Sequence, residues 1–222
     1  MTFIENYTEK LLGLLKAEFA ERLVYTGLQG SYMRGEETSS SDIDIMVVID
    51  GLSVKDLALY KDIIRKAGDY ERACGFICGR EELSNWNPME ICHLVHTTKD
   101  LYGSIKDIVP EYTEAVERNY IKLSINNLYH ELCHSNIHSD GDERNMRFRG
   151  CCKSLFFILQ NIYFLKTGSF YATKQKLAAV LEGEDKAVFE AALNIQRSGI
   201  SNYEHDFALL FEWCQKYAQS FK

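Results

Sequence analysis

An α+β fold is predicted, with strands and helices mixed in the first half and helices alone in the second, and three observations carry it. Up to about residue 105, short apolar stretches of strand type alternate with stretches in which apolar residues recur every three to four positions. After Pro110 nearly every segment has the helical period, which places a domain boundary at 108/109 and divides the chain into 1–108 and 109–222. The third observation is Gly27-Leu-Gln-Gly-Ser-Tyr-Met-Arg-Gly-Glu-Glu-Thr-Ser-Ser-Ser-Asp-Ile-Asp-Ile-Met-Val-Val-Ile49, in which a glycine-serine turn and a polar loop lead into an apolar strand headed by two acids.

The elements follow in order. Phe3, Ile4, Tyr7, Leu11, Leu14, Leu15 and Phe19 lie at helical spacing, so residues 3–20 are expected to form a helix, and the β-rich Leu23–Leu28 a strand. Asp42–Asp50 reads as a second strand. Ser53 reads as the N-cap of a helix running to about Ala67, and Cys74–Cys78 as a short third strand. Glu90-Ile-Cys-His-Leu-Val-His-Thr97 is expected as a fourth. Breaks near Ser139–Asp142, Thr167–Ser169, Glu182-Gly183 and Ser198-Gly199 divide the helical half. The run Leu155–Leu165 is apolar nearly all round, which predicts a central bundle helix.

Composition narrows the function. A chain of 222 residues, 46% hydrophobic and 26% charged, is large enough to bury a core. No apolar run approaches the roughly 18 residues of a bilayer span, and the start lacks the basic-then-apolar pattern of a secretory signal, so a cytoplasmic protein with no membrane partner is expected. The seven cysteines are odd in number and contain no Cys-x-x-Cys pair, which favours buried thiols over disulfides or zinc. A net charge of −7 argues against an extended nucleic-acid surface, because duplex binding needs clustered Lys and Arg to displace counterions.

The chemistry concentrates at Asp42 and Asp44. Residues two apart in a strand share a face, so both carboxylates are aimed into one small volume while Ile43 and Ile45 point the opposite way. Like charges held that close oppose each other's ionisation unless a cation lies between them. A phosphate needs closely approaching backbone N–H donors, and Gly30-Ser31 at a helix start supplies them, with the hydroxyl as a further donor. Ten residues separate Ser31 from Asp42, enough for a helical turn and a loop that returns the acids to the same pocket. The pattern describes a metal-bound triphosphate.

A glycine-serine pair, a spacer of about ten residues containing here Arg34 and Gly35, and then Ser41-Asp42-Ile43-Asp44 resembles the signature of the nucleotidyltransferase superfamily. That superfamily includes DNA polymerase beta, the aminoglycoside nucleotidyltransferases and the minimal nucleotidyltransferases. The resemblance implies a small mixed-sheet nucleotidyltransferase domain followed by a helical bundle. It also implies two Mg²⁺ ions held by Asp42 and Asp44, and ATP or another NTP as donor, with Gly30, Ser31 and Arg34 at the nucleotide. Active members usually carry a third carboxylate on a later strand. Glu90 is the expected candidate because it opens the apolar stretch Ile91–Val95, whereas Glu81 and Glu82 read as a solvated turn and Asp100 is set aside as too far along, near a Leu-Tyr-Gly turn. The helical domain of the antibiotic-modifying members contributes cations to the phosphates, and Arg149 with Lys153, at i and i+4, are the residues expected to do so here. A surface ion-pair role is the alternative. His130, His134 and His138 step along one helix face at about 6 Å per step, too far for all three to meet one ion, so an interface or core-edge role is expected.

The expected function is transfer of a nucleoside monophosphate, AMP from ATP, to a hydroxyl of a small molecule, with an aminoglycoside-like acceptor compatible with the acidic balance. The alternative is a nucleotide-binding regulatory or antitoxin-like protein with little turnover, or one that modifies a protein partner. The two readings part at the third carboxylate. A polymerase working on RNA would need a basic groove that the composition does not offer.

Overall fold

The structure is a computed structural model that describes residues 2–221. It divides into two compact units, one ending at Tyr112 and the other beginning at Thr113. The first contains α1 (Phe3–Phe19), β1 (Leu23–Leu28), α2 (Gly30–Arg34), β2 (Ile43–Ile49), α3 (Val54–Ala67), β3 (Ala73–Gly79), α4 (Arg80–Ser84), α5 (Pro88–His96) and β4 (Lys99–Tyr102). The second contains α6 (Glu114–His138), α7 (Gly141–Thr167), α8 (Lys174–Val180), α9 (Gly183–Ser198) and α10 (Tyr203–Ser220).

In the first unit the strands form one mixed sheet in the order β3-β2-β1-β4, with β2 and β3 parallel and the other two pairings antiparallel. The strand period of two sorts β2 cleanly. Ile43, Ile45, Val47 and Ile49 pack with Tyr7, Leu11, Leu15 and Phe19 of α1 and with Ile63 and Ala67 of α3. Met46 and Val48 face the other way, into a smaller core with Tyr25, Cys78, Leu83, Ile91, Ile105 and Ile108. The helices that cover the first face are fixed at their starts by capping boxes, Thr2 with Glu5 and Ser53 with Asp56. Asp56 also takes two hydrogen bonds from the Arg22 guanidinium, 2.7 and 3.1 Å, which with the Ser53 hydroxyl and amide hold its carboxyl well below the usual range. This pair joins the start of α3 to the residue before β1.

One expected element has a different identity. Residues 90–97 do not form a strand: Pro88–His96 is a helix, with Asn87 accepting from the Met89 amide as N-cap and Pro88 in its first turn. Proline is preorganised there because its missing N–H would have no helical partner. The apolar residues follow the same logic, since Ile91 and Cys92 are buried on one side of the helix. The fourth strand begins only at Lys99.

In the second unit, Ile121, Ile125, Leu128 and Leu132 of α6 form a four-residue ladder against Phe148, Cys152, Leu155, Leu159 and Ile162 of α7. Val188, Phe189, Ala192 and Ile195 of α9 and Leu210, Trp213 and Cys214 of α10 close the same core. The Gln160 amide donates to the Tyr171 carbonyl and the Asn161 amide to the Phe157 carbonyl, so the side-chain N–H groups of both find acceptors inside α7's buried stretch.

Candidate active site

The strand alternation that buries Ile43 and Ile45 turns Asp42 and Asp44 to the opposite face, in line with Met46 and Val48, at the end of the sheet where that smaller core stops. Asp42 is exposed and Asp44 half-buried. The β1–β2 ladder continues one step past the strands, with the Gln29 amide donating to the Asp44 carbonyl at 2.9 Å, and this carries Gly30 alongside Asp44. Gly30 has φ +66°, and a Cβ built on it would lie 1.9 Å from Asp44 Oδ2. The Asp44 carboxylate therefore occupies the space that any side chain at position 30 would fill. Glycine is required twice over here, for the left-handed backbone and for the close approach.

Ser31 is the next residue of α2 and stands half-exposed beside this contact. Arg34 is engaged locally, with Nε 3.1 Å from Glu36 Oε2 and both side chains largely buried. Such pairing fixes the turn after α2 and commits part of the guanidinium to it.

Glu90 lies in the first turn of α5 and is exposed, with Oε2 accepting from Trp86 Nε1 at 2.5 Å. The strands beside β2 are β1 and β3, and neither carries it. The expectation that Glu90 opens a strand next to the acid pair is overturned, because the Asn87-Pro88 start makes its segment helical. Glu82 is remote in a different way. Its carboxylate packs on Gly79, which pairs with Ile49, whereas Asp44 pairs with Cys74 at the far end of the same strands.

The acid that the sheet does present is Asp100. It sits on β4 opposite Gly27 of β1, and Gly27 in turn is opposite Met46 of β2. Asp100 thus shares a face with Asp44 and Met46, across a glycine that places no side chain between them. Added to Gly27, a Cβ would come within 2.3 Å of Tyr25 Oη and 2.5 Å of Thr98 Cγ2. The Tyr25 hydroxyl donates to Asp100 Oδ1 at 2.6 Å, and the Ile105 amide approaches the same oxygen at 3.4 Å, which fixes the carboxylate. Burial, reinforced by this hydrogen bond and the Asp100 charge, pushes the Tyr25 phenol far above its ordinary pKa, so it stays a donor. Gln29 Nε2 donates to Thr98 Oγ1 at 2.8 Å and ties β4 to the turn that holds Gly30.

No group of three or more His, Cys, Asp or Glu side chains among the described residues forms a ready-made metal cage. Two same-face carboxylates nonetheless fit Mg²⁺, a hard cation that keeps waters and binds through one or two carboxylates together with substrate phosphates. In the helical unit Arg149 and Lys153 are exposed neighbours on α7, and the Arg149 carbonyl accepts from Gln196 Nε2. His130, His134 and His138 are exposed along α6 with ring centroids 5.9 and 4.8 Å apart.

The family profile described as nucleotidyltransferase domain matches residues 9–90, a span that holds α1, the glycine-serine turn and both acids of β2. This part of the chain is similar to nucleotidyltransferase domains. Its fold is similar to that of a solved spectinomycin adenyltransferase, AAD(9) from Enterococcus faecialis, with ATP and spectinomycin. The TM-score is 0.61 and the identity 14%, over 97% of this chain and 99% of that one. A toxin-antitoxin structure with AMP-PNP overlaps 54% of this chain and 87% of its own at 22% identity, but its TM-score of 0.33 is too low to indicate a shared fold. No curated protein sequence matches the chain. The nucleotidyltransferase match stops at residue 90, so Asp100 lies beyond it.

Proposed function

We propose that the nucleotidyltransferase domain transfers AMP from ATP to a hydroxyl of a small molecule, and that Asp42, Asp44 and Asp100 are its acids. The observation that carries this reading is the contact of Asp44 with Gly30, which puts a strand carboxylate against the turn that would receive phosphate. Asp42 and Asp44 provide the anionic oxygens for Mg²⁺, with the Gly30-Ser31 turn at the phosphates through its backbone and the Ser31 hydroxyl. When bound, Mg²⁺ neutralises phosphate charge and polarises the α-phosphate toward in-line displacement. The acceptor oxygen forms a bond to the α-phosphorus, the bond to the bridging oxygen breaks, and pyrophosphate leaves. Asp100, held by Tyr25 and the Ile105 amide, takes the place given to Glu90 from the sequence and receives the proton of the acceptor hydroxyl.

The adenyltransferase with the similar fold was solved with ATP and spectinomycin, which supports ATP as donor and an aminoglycoside-like acceptor for this chain. A net charge of −7 favours a cationic acceptor by long-range attraction. Arg149 and Lys153 remain the candidates for cations contributed by the helical unit, the Arg as a planar fork and the Lys as a point charge. The test is incubation with Mg·ATP and a panel of aminocyclitols and aminoglycosides, reading pyrophosphate release and adenylated product by mass spectrometry. Binding of Mg·ATP with no product from any hydroxyl acceptor would favour the regulatory reading.

A further inference from the structure

Arg72 ends the turn that follows α3, and its three guanidinium nitrogens are all directed to protein groups. The turn itself bends through Gly68, φ +102°, and Asp69, φ +51°. Ala73, the next residue, pairs with Ile43, so Arg72 stands beside Asp42 across the parallel β2–β3 ladder. Arg72 Nε donates to the Ser41 carbonyl at 3.1 Å, directly before Asp42. Its Nη2 donates to the Tyr32 hydroxyl, on the helix that opens with Gly30-Ser31. Nη1 lies 3.8 Å from Asp69 Oδ1, and Cζ lies over the Phe3 ring, 5.2 Å from its centroid, that ring in turn lying 6.2 Å from that of Tyr32.

We infer that Arg72 is a positioning residue that braces the two sides of the candidate site, linking the Gly30-Ser31 turn through Tyr32 to the Asp42 backbone through Ser41. The physical need is clear from the chain between them. Residues 35–42 form an irregular polar loop whose start is tied to α2 by the Glu36 amide on the Ser31 carbonyl at 3.0 Å and by the Arg34–Glu36 pair, and whose tip is closed by Thr38 with Ser40 and Ser41 and by the Ser41 amide on the Thr38 carbonyl. These contacts hold the loop's start and its tip separately, and Arg72 joins the Ser41 end directly to α2 through Tyr32. A planar fork suits this task, because it can hold two acceptors in fixed directions at once, and a lysine ammonium on a flexible stem cannot. With its donors directed to Ser41, Tyr32 and Asp69, Arg72 acts through the site's backbone and not on phosphate.

This inference rests on the proposed function, and the experiment separates the two. Arg72→Met keeps stem volume and removes the fork, while Tyr32→Phe keeps the ring and removes one acceptor. Hydrogen exchange of residues 36–42 in the unliganded protein, and the Mg²⁺ concentration that half-saturates ATP binding, are measured for each variant, for the double variant and for Arg72→Lys. Faster exchange in the loop and an increase of roughly 10- to 100-fold in half-saturating Mg²⁺ are expected for Arg72→Met, the range typical of residues that orient metal ligands. Tyr32→Phe should give a smaller change in the same direction, the double variant little more than Arg72→Met alone, and Arg72→Lys a partial recovery. Wild-type exchange and wild-type Mg²⁺ dependence in both Arg72→Met and Tyr32→Phe would overturn the inference while leaving the function intact. A wild-type chain that binds no Mg·ATP would overturn both.

Discussion

Replacing Gly30 by alanine should separate the stability of the domain from its nucleotide chemistry. The backbone at Gly30 has φ +66°, and placing an L side chain in that region costs about 1–2 kcal/mol. That cost alone should lower the melting temperature of this unit by about 4–9 °C. The larger consequence is local. The added Cβ would lie 1.9 Å from Asp44 Oδ2 and 2.8 Å from its Cγ, against an ordinary contact of 3.4 Å or more, so the carboxylate must swing away by more than an ångström. A misplacement of about 1 Å at a reacting centre can cost on the order of 10²-fold in rate, and Mg²⁺-dependent ATP affinity should fall with it. Gly35→Ala is the matched control: φ is +67°, yet no atom lies within 4 Å of its added Cβ. Both variants should lose similar stability by thermal melting, and only Gly30→Ala should lose Mg·ATP binding by calorimetry. Equal Mg·ATP affinity in the two variants would refute the proposal that Asp44 and the Gly30-Ser31 turn together receive the phosphates.

Asp42→Ala and Asp44→Ala should each abolish Mg²⁺-dependent ATP binding in calorimetry while the far-ultraviolet circular dichroism stays unchanged, since removing one of two neighbouring acids relieves repulsion in the unliganded chain. Asp100→Asn should keep Mg·ATP binding and lower turnover on the order of 10²-fold, as loss of a general base does, whereas Glu90→Gln should stay near wild type; the reverse ranking in steady-state kinetics would restore Glu90. Burial, helped by the Glu114 charge, raises the Glu117 carboxyl to about 7, and its Oε1 has no hydrogen-bond partner among the described residues. A raised carboxyl stabilises the fold while protonated, so this contribution is full below the ordinary carboxylate pKa and is lost as pH rises through about 7. Glu117→Gln should therefore melt higher than wild type above pH 7 and converge with it near pH 5, whereas melting curves that stay parallel across that range would contradict the burial argument.

Much of the site was legible because it is local. Asp42 and Asp44 share a face by the strand period alone, and Gly30-Ser31 stands in the same sequence stretch, so residue spacing specified which side chains belong together. The division into a mixed half and a helical half was equally visible, since helical periodicity accumulates over the long α6 and α7 until composition leaves little choice. Residues 88–97 were not decided that way. A short apolar run suits a buried strand or one side of a helix, and the cap at Asn87 with Pro88 behind it, present in the sequence but outweighed by the apolar run, is what settles the helix. The remaining features depended on partners distant along the chain. Asp100 is the second residue of an unremarkable four-residue segment, and it shares the face of the acid pair only because β4 pairs with β1 in a register that puts it opposite Gly27. Arg72 reads as one more charged residue in a turn until the parallel β2–β3 ladder brings it beside Asp42. Periodicity along a chain records which way a side chain faces, but the register between strands is set by packing of the whole sheet, and so the proposed third acid and the proposed brace belonged to the tertiary structure.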